Sequence, residues 1–265
     1  GHPSTSGSPN IDYAILCDDF FVKGSEKNFS EQIIRLSRMP ANYIAPELKE
    51  SSFKRSELNL PNGTFLIGLP HTLFKYHPDF DFILDKILEE IPNAYYYCAE
   101  GIHKSMTKSL KERWSAKTKL LLKRTIFHPQ VSLKKFHAIL KEVDIVLSPF
   151  YFGMGNTYYQ AMTVGTPVVS YTQDIFTSRG PYAGYKQMGI INPPLASSPE
   201  EYISICKKLA FDSQYRENIE NQILSKSKQL LLNDKAIFKE YVEFFQKALD
   251  AAKKKELLKE NWAIS

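Results

Sequence analysis

The sequence alternates short apolar runs with longer amphipathic stretches. Runs typical of β-strands occur at 11–16, 64–67, 94–98, 125–127, 144–147 and 167–171. Between most of them, apolar residues recur every three or four positions, which is the pattern of a helix with one buried face. Each return across a parallel sheet needs such a crossover, so strands that alternate with helices predict parallel strands covered by helices. The predicted fold class is therefore α/β, an open parallel sheet of Rossmann type.

The two ends of the chain differ from this central part. From about residue 198 the pattern is helical, and helices are predicted near 198–211, 213–231 and 233–258. The first of these begins at Ser198-Pro199-Glu200, which combines a hydroxyl cap, a proline in the first turn and an acidic residue at the positive helix end. The first 60 residues predict one strand, a helix around 31–37 and a loop at 40–61 that is rich in Pro, Glu and Ser. We place a domain boundary in that loop.

Composition narrows the class of protein. The 265 residues are 43% hydrophobic and carry a net charge of +5, which suits a globular protein with an anionic ligand better than a nucleic-acid-binding protein. No stretch approaches the roughly 18 to 20 apolar residues of a membrane helix. The three cysteines lie far apart without metal-ligand spacing, so we expect a reducing, cytoplasmic setting and no structural metal. The polar first ten residues do not resemble a signal peptide. The sequence does not begin with Met, so we expect it to be a piece of a longer protein.

A glycine-bearing loop follows the predicted strand at 144–147. Gly153 and Gly155 would let the backbone approach a ligand closely, and Asn156 and Thr157 would begin a short helix whose first N–H groups can bind an anion. The alternative is a tight turn in which Asn156 or Thr157 caps the helix. The spacing matches neither a P-loop nor GxGxxG, so the residues alone leave both interpretations open.

Lys75 lies in the loop that follows the strand at 64–67. Its compact positive charge would suit a phosphate, although a surface lysine before a helix is the alternative. His71 and His77 lie in the same loop, but no third ligand accompanies them, so no metal site is expected.

Two further loops are candidates. The segment 127–131 ends a predicted strand, and with Phe136 it offers backbone groups and an aromatic ring to a nucleobase, although Phe136 also suits a core. The hydroxyl-rich segment 1–7 on its own suggests a disordered start. Carboxylates are scarce in all four loops, which argues against paired-acid chemistry, and no Ser–His–Asp order is present.

Four blocks, in order along the chain, resemble one known family. They are 1–13 (GHPSTSG, then Ile-Asp-Tyr), 73–78 (Leu-Phe-Lys, then Pro), 144–169 (Gly-Asn-Thr, then Gly-Thr-Pro-Val-Val) and 178–202 (Ser-Arg, Met-Gly-Ile, Glu-Glu-Tyr). Their order and spacing are similar to the catalytic C-terminal region of glycosyltransferase family 41. That family contains the O-GlcNAc transferases, the SPINDLY-type plant enzymes and, as relatives, the bacterial adhesin N-glucosyltransferases. The resemblance runs from residue 1 to about 245.

The resemblance implies a GT-B architecture, in which two Rossmann-like domains face a cleft. It divides the chain into the end of an incomplete N-terminal domain (1–57), a C-terminal nucleotide-sugar-binding domain (58–232) and a helical extension (233–265). It also makes the first loop part of an active site, and it implies a missing upstream domain that tetratricopeptide repeats often precede.

The resemblance also implies roles for individual residues. Lys75 would neutralise the donor β-phosphate and stabilise the departing UDP, which is work that a metal ion performs in other transferases. His2 is a candidate for proton transfer, since an imidazole titrates near neutrality. The remaining donor-binding positions that the resemblance implies are Thr5, Thr72, Gln130, Val131, Phe136, Gly155, Asn156, Thr157, Gln160 and Arg179.

Within that set, backbone groups at Gln130 and Val131 would pair with the uracil edge and Phe136 would pack on its face. The helix start at Gly155–Thr157 would hold the diphosphate. Gln160 occupies a position where many GT-B enzymes carry a carboxylate for the ribose hydroxyls, so the charge-assisted bond is lost there.

The implied reaction is an inverting transfer of GlcNAc or a hexose from a UDP-sugar to a protein (Ser/Thr or Asn) or a glycan acceptor. No metal or other cofactor, nucleic acid or membrane span is implied. Two alternatives keep the fold: a degenerate module that only binds UDP-sugar, and a GT-B sugar-nucleotide epimerase.

Overall fold

The computed structural model describes residues 4–48 and 53–258. The strands of this part are β1 (Tyr13–Cys17), β2 (Gln32–Leu36), β3 (Phe65–Leu69), β4 (Ala94–Ala99), β5 (Thr125–His128), β6 (Ile145–Leu147), β7 (Val168–Tyr171) and β8 (Leu195–Ala196). Its α-helices are α1 (Pro78–Glu90), α2 (Lys104–Lys117), α3 (Leu133–Glu142), α4 (Asn156–Val164), α5 (Gly180–Met188), α6 (Pro199–Phe211), α7 (Ser213–Leu230) and α8 (Ala236–Lys253). Among these described residues, no helix is long and apolar enough to cross a membrane.

Six strands form one sheet in the order β5-β4-β3-β6-β7-β8, and every neighbouring pair is parallel. β3 is central, because Ile67 lies opposite both Tyr96 of β4 and Ile145 of β6. All five residues of β3 are buried, as is typical of a strand covered on both faces. The α/β prediction is confirmed: β3 to β7 begin and end within about two residues of their predicted positions, whereas the short strand β8 was not predicted.

Helices cover both faces of this large sheet. α1, α2 and α6 pack on one face through Phe80, Trp114 and Tyr202, each of them fully buried. α3, α4, α5 and α7 cover the other face, where Tyr158 and Tyr185 are fully buried. Two apolar cores therefore stabilise the large sheet, one on each face.

A charged group is buried between α1 and α2. The Asp81 side chain accepts hydrogen bonds from the indole N–H of Trp114 at 2.8 Å and from the guanidinium of Arg113 at 2.7 and 2.9 Å. Asp81 is fully buried, and burial raises the pKa of its carboxyl group although Arg113 and Trp114 favour the charged form. The three bonds offset the cost of burying the charge and fix how α1 packs against α2.

The predicted helix at 31–37 is wrong, because this segment is strand β2. Ile34 and Leu36 are fully buried while Ile33 and Arg35 are half-buried, which is the two-residue alternation of a strand. β2 pairs in parallel with β1, with Ile33 opposite Ala14. The adjacent β-branched residues favour an extended backbone, and tertiary pairing outweighs the weak helical spacing.

The C-terminal helix α8 returns to this small sheet, which consists of β1 and β2. The ring of Phe244 packs edge-on against Tyr13 at 5.3 Å between centroids. The Glu240 carboxylate accepts bonds from the backbone N–H of Ser37 at 2.9 Å and from its hydroxyl at 2.5 Å. Helix α8 is therefore in contact with β1 and with the residue that follows β2. The predicted domain boundaries at 57 and 232 stay predictions.

The helical C-terminal region agrees with the sequence except at its last helix. Ser198 caps α6 as predicted, since its hydroxyl accepts a bond from the N–H of Glu201 at 3.1 Å. The third helix, α8, is shorter than predicted at both ends. Asn233 has a left-handed backbone (φ 55°) and donates its N–H to the Tyr43 carbonyl, and Lys255 is also left-handed (φ 59°). These left-handed residues stop the helical hydrogen-bond ladder.

Candidate functional site

The candidate site lies at the carboxyl edge of the large sheet. The chain moves from β3 to β4 and β5 on one side, and from β6 to β7 and β8 on the other, so the sheet has a switch point between β3 and β6. Ligands of open α/β sheets bind outside the strand ends at such a point. A cavity of about 220 Å³ lies there, and its lining residues are Pro70, His71, Thr72, Lys75, Ala99, His128, Gln130, Val131, Phe136 and Thr157.

Six of the predicted donor-binding residues line this one cavity. They come from four separate segments: Thr72 and Lys75 follow β3, Gln130 and Val131 follow β5, Phe136 lies on α3 and Thr157 lies on α4. Parallel strands bring their carboxyl ends to a common edge, which is why residues so far apart in sequence meet here.

Lys75 ends a short 3₁₀ turn after β3. Its ammonium donates a hydrogen bond to the Gly153 carbonyl at 2.8 Å and lies 4.7 Å from the centre of the Phe152 ring. Burial alone lowers the pKa of Lys75, with no described carboxylate contributing. The positive charge of Lys75 is therefore available to an anion in the cavity.

Thr157 lies in the first turn of α4, which begins at Asn156. Gly155 precedes the helix with φ −108° and ψ −111°, and no atom lies within 4 Å of the position where its side chain would begin. No side chain caps this helix start, and among the described residues the N–H groups of Asn156 and Thr157 have no backbone acceptor outside the helix. These free donors and the helix dipole favour an anion beside Thr157.

Two buried histidines line the cavity; from the sequence, His71 is considered only as a metal ligand and His128 has no role of its own within the segment 127–131. His71 is 3% exposed and its Nε2 donates to the Leu147 carbonyl at 2.9 Å, while His128 donates from Nδ1 to the Pro129 carbonyl at 2.9 Å. Burial, with the nearby charge of Lys75, lowers the pKa of His71 to about 3, and burial also lowers the pKa of His128. Both imidazoles are thus neutral at pH 7. The signal that could have found them is their position at strand ends, since His128 is the last residue of β5 and His71 follows the end of β3 by two residues.

Several other predicted residues lie outside the cavity lining. The Gln160 side chain lies close to the hydroxyl of Tyr43, and Arg179 donates from Nε to the Asp19 carbonyl at 2.8 Å. Thr5 donates its N–H to Asn28 at 2.8 Å. Gly155 and Asn156 lie at the helix start just described. Donor contacts from these residues stay predictions, and His2 lies outside the described residues.

Metal chemistry has no preorganised site in the described part of the chain, where no group of three His, Cys, Asp or Glu side chains could hold a metal ion. A larger cavity of about 660 Å³ lies on the outer side of α3, between that helix and residues 46–48 and 53–54. It contains none of the predicted site residues, so the smaller cavity, which contains six of them, is the better candidate.

The fold and the cavity define a class of protein. The order of the six parallel strands, the helices on both faces and the helical C-terminus are those of the C-terminal domain of GT-B glycosyltransferases. No family model matches the chain. It is similar to an O-GlcNAc transferase mutant structure from Thermobaculum terrenum, with a TM-score of 0.77 and 20% identity over 95% of this chain and 48% of the other.

A second solved structure, of Anabaena HepE with UDP and glucose, has a TM-score of 0.59 and 15% identity over 83% of this chain and 57% of the other. Among curated proteins, the chain is 28% identical over 229 residues to the UDP-glucose:protein N-beta-glucosyltransferases of Actinobacillus pleuropneumoniae serotypes 5b and 7. The aligned region is 84% of this chain and 36% of each relative, so the chain spans about a third of their length. The resemblance to glycosyltransferase family 41 is confirmed.

Proposed function

We propose that this chain carries the donor-binding half of an inverting, metal-independent glycosyltransferase. It transfers GlcNAc or a hexose from a UDP-sugar to a protein (Ser/Thr or Asn) or a glycan acceptor. The observation that supports this most directly is one cavity at the switch point that combines Lys75 and the α4 N-terminus with Phe136 and Val131. The first pair suits a diphosphate and the second suits a nucleobase.

The chemistry follows from the charges of the cavity. As the bond between the sugar and the diphosphate breaks, negative charge accumulates on the leaving UDP. The Lys75 ammonium and the free N–H groups at the start of α4 stabilise that charge, which makes a metal ion unnecessary at this position. The similarity to UDP-glucose:protein N-beta-glucosyltransferases supports a UDP-sugar donor and a protein acceptor.

No carboxylate lines the cavity among the described residues, and the low pKa of His71 makes it a poor base. The resemblance implies that the group that accepts the proton from the acceptor is either His2 or a residue of an upstream domain. The three cysteines are free and buried, which supports the reducing, cytoplasmic location expected from their spacing.

The alternative is a module that binds UDP without catalysis. Gln160 favours it, because an amide beside Tyr43 replaces the carboxylate that would hold the ribose. A sugar-nucleotide epimerase of the same fold finds less support, since the cavity lining offers no carboxylate.

Calorimetric titration of the 265-residue chain with UDP, UDP-glucose and UDP-GlcNAc tests the binding step. Lys75→Met should weaken UDP binding by about 10- to 100-fold, because it removes a charge-assisted bond to the diphosphate, and should leave the thermal midpoint unchanged. Lys108→Met, at a lysine whose side chain is 78% exposed on α2, is the matched control and should bind like the wild type. EDTA should not change the UDP affinity of the wild type or of the Lys108→Met control. Wild-type affinity in Lys75→Met would refute the assigned role.

Turnover separates the transferase from the binding module. The assay uses a protein that contains this region together with an upstream domain, and mass spectrometry measures sugar transfer to acceptor peptides. Lys75→Ala should abolish this transfer. NMR of the product should show inversion at the anomeric carbon. UDP binding without any transfer to protein or glycan acceptors would favour the binding module.

A further inference from the structure

Two exposed phenylalanines, Phe74 and Phe152, lie beside Lys75, which is one of the residues that line the cavity. Phe74 is 67% exposed and Phe152 is 43% exposed, and their rings meet edge to face with centroids 6.1 Å apart. Together the two rings form a small exposed apolar surface next to a charged side chain. The proposed function gives a role to Lys75 but none to the two neighbouring rings.

The ring of Phe152 contacts the charged end of Lys75. The lysine Nζ lies 4.7 Å from the ring centroid, inside the distance at which an aromatic face attracts a cation. The Gly153 carbonyl accepts one of the three ammonium protons at 2.8 Å. Two N–H groups of Lys75 are left for a ligand.

The backbone around Phe152 is held in one conformation. Tyr151 has a left-handed backbone (φ 67°), which is uncommon for a bulky residue, and its N–H and hydroxyl bond to Gln173 at 2.9 Å and Asp79 at 2.7 Å. The N–H of Phe152 bonds to Phe150 at 2.8 Å. Such a costly conformation persists only where its surroundings impose it, and here it fixes the ring under the lysine.

A ring and a carboxylate hold an ammonium with different consequences. A carboxylate would fix Lys75 more strongly, but its negative charge would repel a diphosphate and cancel the charge that the lysine offers. An aromatic face carries no net charge, so it orients the ammonium and leaves the full positive charge to the ligand. No described carboxylate contributes to the pKa of Lys75.

We propose that Phe152 is a positioning residue, whose ring face and the neighbouring Gly153 carbonyl hold the Lys75 ammonium toward the diphosphate in place of an anionic partner. This inference rests on the proposed function, because it concerns the same cavity.

The test compares Phe152→Leu, Phe152→Met and Phe152→Tyr with Phe211→Leu, a control at another exposed phenylalanine (63%) at the end of α6. UDP and uridine affinities are measured by calorimetry. The pKa of Lys75 is measured by NMR of labelled lysine, with its signal assigned through Lys75→Met. His71, the neighbouring imidazole, stays neutral above pH 5 and does not interfere.

Loss of the ring should weaken UDP binding by about 3- to 10-fold in both the Leu and Met variants, and in Phe152→Met, which keeps a side chain of similar size beside Lys75, it should lower the pKa of Lys75 by about 0.5 to 1. Phe152→Tyr and Phe211→Leu should match the wild type, and uridine, which lacks phosphate, should bind all variants equally. Both Phe152→Leu and Phe152→Met are made, so that UDP binding can still be compared if one of the two variants fails to fold.

An unchanged pKa of Lys75 in Phe152→Met overturns the proposal, as does equal loss of UDP and uridine binding. A Phe152→Tyr variant that behaves like Phe152→Leu overturns it as well. If the wild type binds no UDP, the proposed function fails, and the pKa measurement still decides whether the ring positions the ammonium.

Discussion

The large sheet (β3 to β8) and the small sheet (β1 and β2) are both parallel, yet they are stabilised differently. The large sheet has a buried apolar core on each face, including fully buried rings such as Trp114, Tyr158 and Tyr202. In β1, only Cys17 is buried and its other four residues are half-buried. Directional polar bonds, such as those from Ser37 to Glu240 and from Arg38 to Asp234, tie the small sheet to the C-terminal region.

Because of this difference, we expect ligand binding in the large sheet to be independent of the contacts that hold the small sheet in place. Every residue that lines the candidate cavity falls between Pro70 and Thr157, inside the large sheet and its loops. Two strands alone are marginally stable, so the small sheet depends on α8. Perturbing its polar contacts should release β1 and β2 and leave the cavity intact, whereas perturbing the large sheet should affect both.

The largest expected loss of stability comes from a substitution under the large sheet, at the buried carboxylate of α1. Asp81→Asn removes the charge that pairs with Arg113 in a fully buried position, so it should cost about 3 kcal/mol of unfolding free energy and lower the thermal midpoint by about 6 to 10 °C. Calorimetric or circular-dichroism melting measures this. Asp250→Asn, at an exposed ion pair on α8, is the control and should stay within about 0.5 kcal/mol of the wild type. Equal melting of Asp81→Asn and wild type would show that the buried pair does not stabilise the large sheet.

A smaller and local effect is expected at the junction of α8 with the small sheet. Glu240→Ala leaves the N–H and hydroxyl of Ser37 without their acceptor, which should cost about 1 to 3 kcal/mol. Hydrogen exchange should accelerate by roughly 10-fold or more at Ile34 and Leu36 and change little in β3 and β4.

UDP affinity of Glu240→Ala should equal that of the wild type, since the cavity lies in the other sheet. Lys239→Ala, the exposed neighbour on the same helix, serves as its control. Uniformly faster exchange in both sheets would mean that the two regions unfold as one unit.

The smallest effect concerns the acid sensitivity of the first loop. The Glu31 carboxylate accepts bonds from the hydroxyl and N–H of Ser6 at 2.5 and 2.7 Å. The Ser6 hydroxyl, then Thr5 and the Ser6 N–H, lower the pKa of Glu31 to about 2. A carboxyl group whose pKa falls on folding stabilises the fold above its unfolded pKa of about 4.3, and this contribution disappears as the pH falls through the folded pKa.

NMR titration of the Ser6 amide should therefore show a midpoint near pH 2 in the wild type. The midpoint for Glu31 should rise toward its ordinary value in Ser6→Ala, where the hydroxyl is missing. Stability of the large sheet should not follow this titration. A midpoint near 4 in the wild type would mean that Ser6 and Glu31 are not hydrogen-bonded in solution.

The secondary structure of the large sheet was predictable because burial on two faces leaves a local signal. β3 reads as a continuous apolar run, and the Ser198 cap with Pro199 marks the start of α6 within a residue. β2 was not predictable in the same way. It is short and buried on one face only, its pairing with β1 lies outside any local pattern, and the helical spacing within 31–37 pointed to the wrong element.

The sequence by itself determined the parallel α/β sheet, the family it resembles and the gathering of Lys75, Phe136 and Thr157 at one edge, because apolar runs fix the strands and parallel strands align their carboxyl ends. Only the tertiary structure decided which of these side chains contact each other. Gln160 contacts Tyr43, and Lys75 lies over Phe152. Residues 77 and 117 positions apart come into these contacts through packing and hydrogen bonds, which no local pattern of polar and apolar residues encodes.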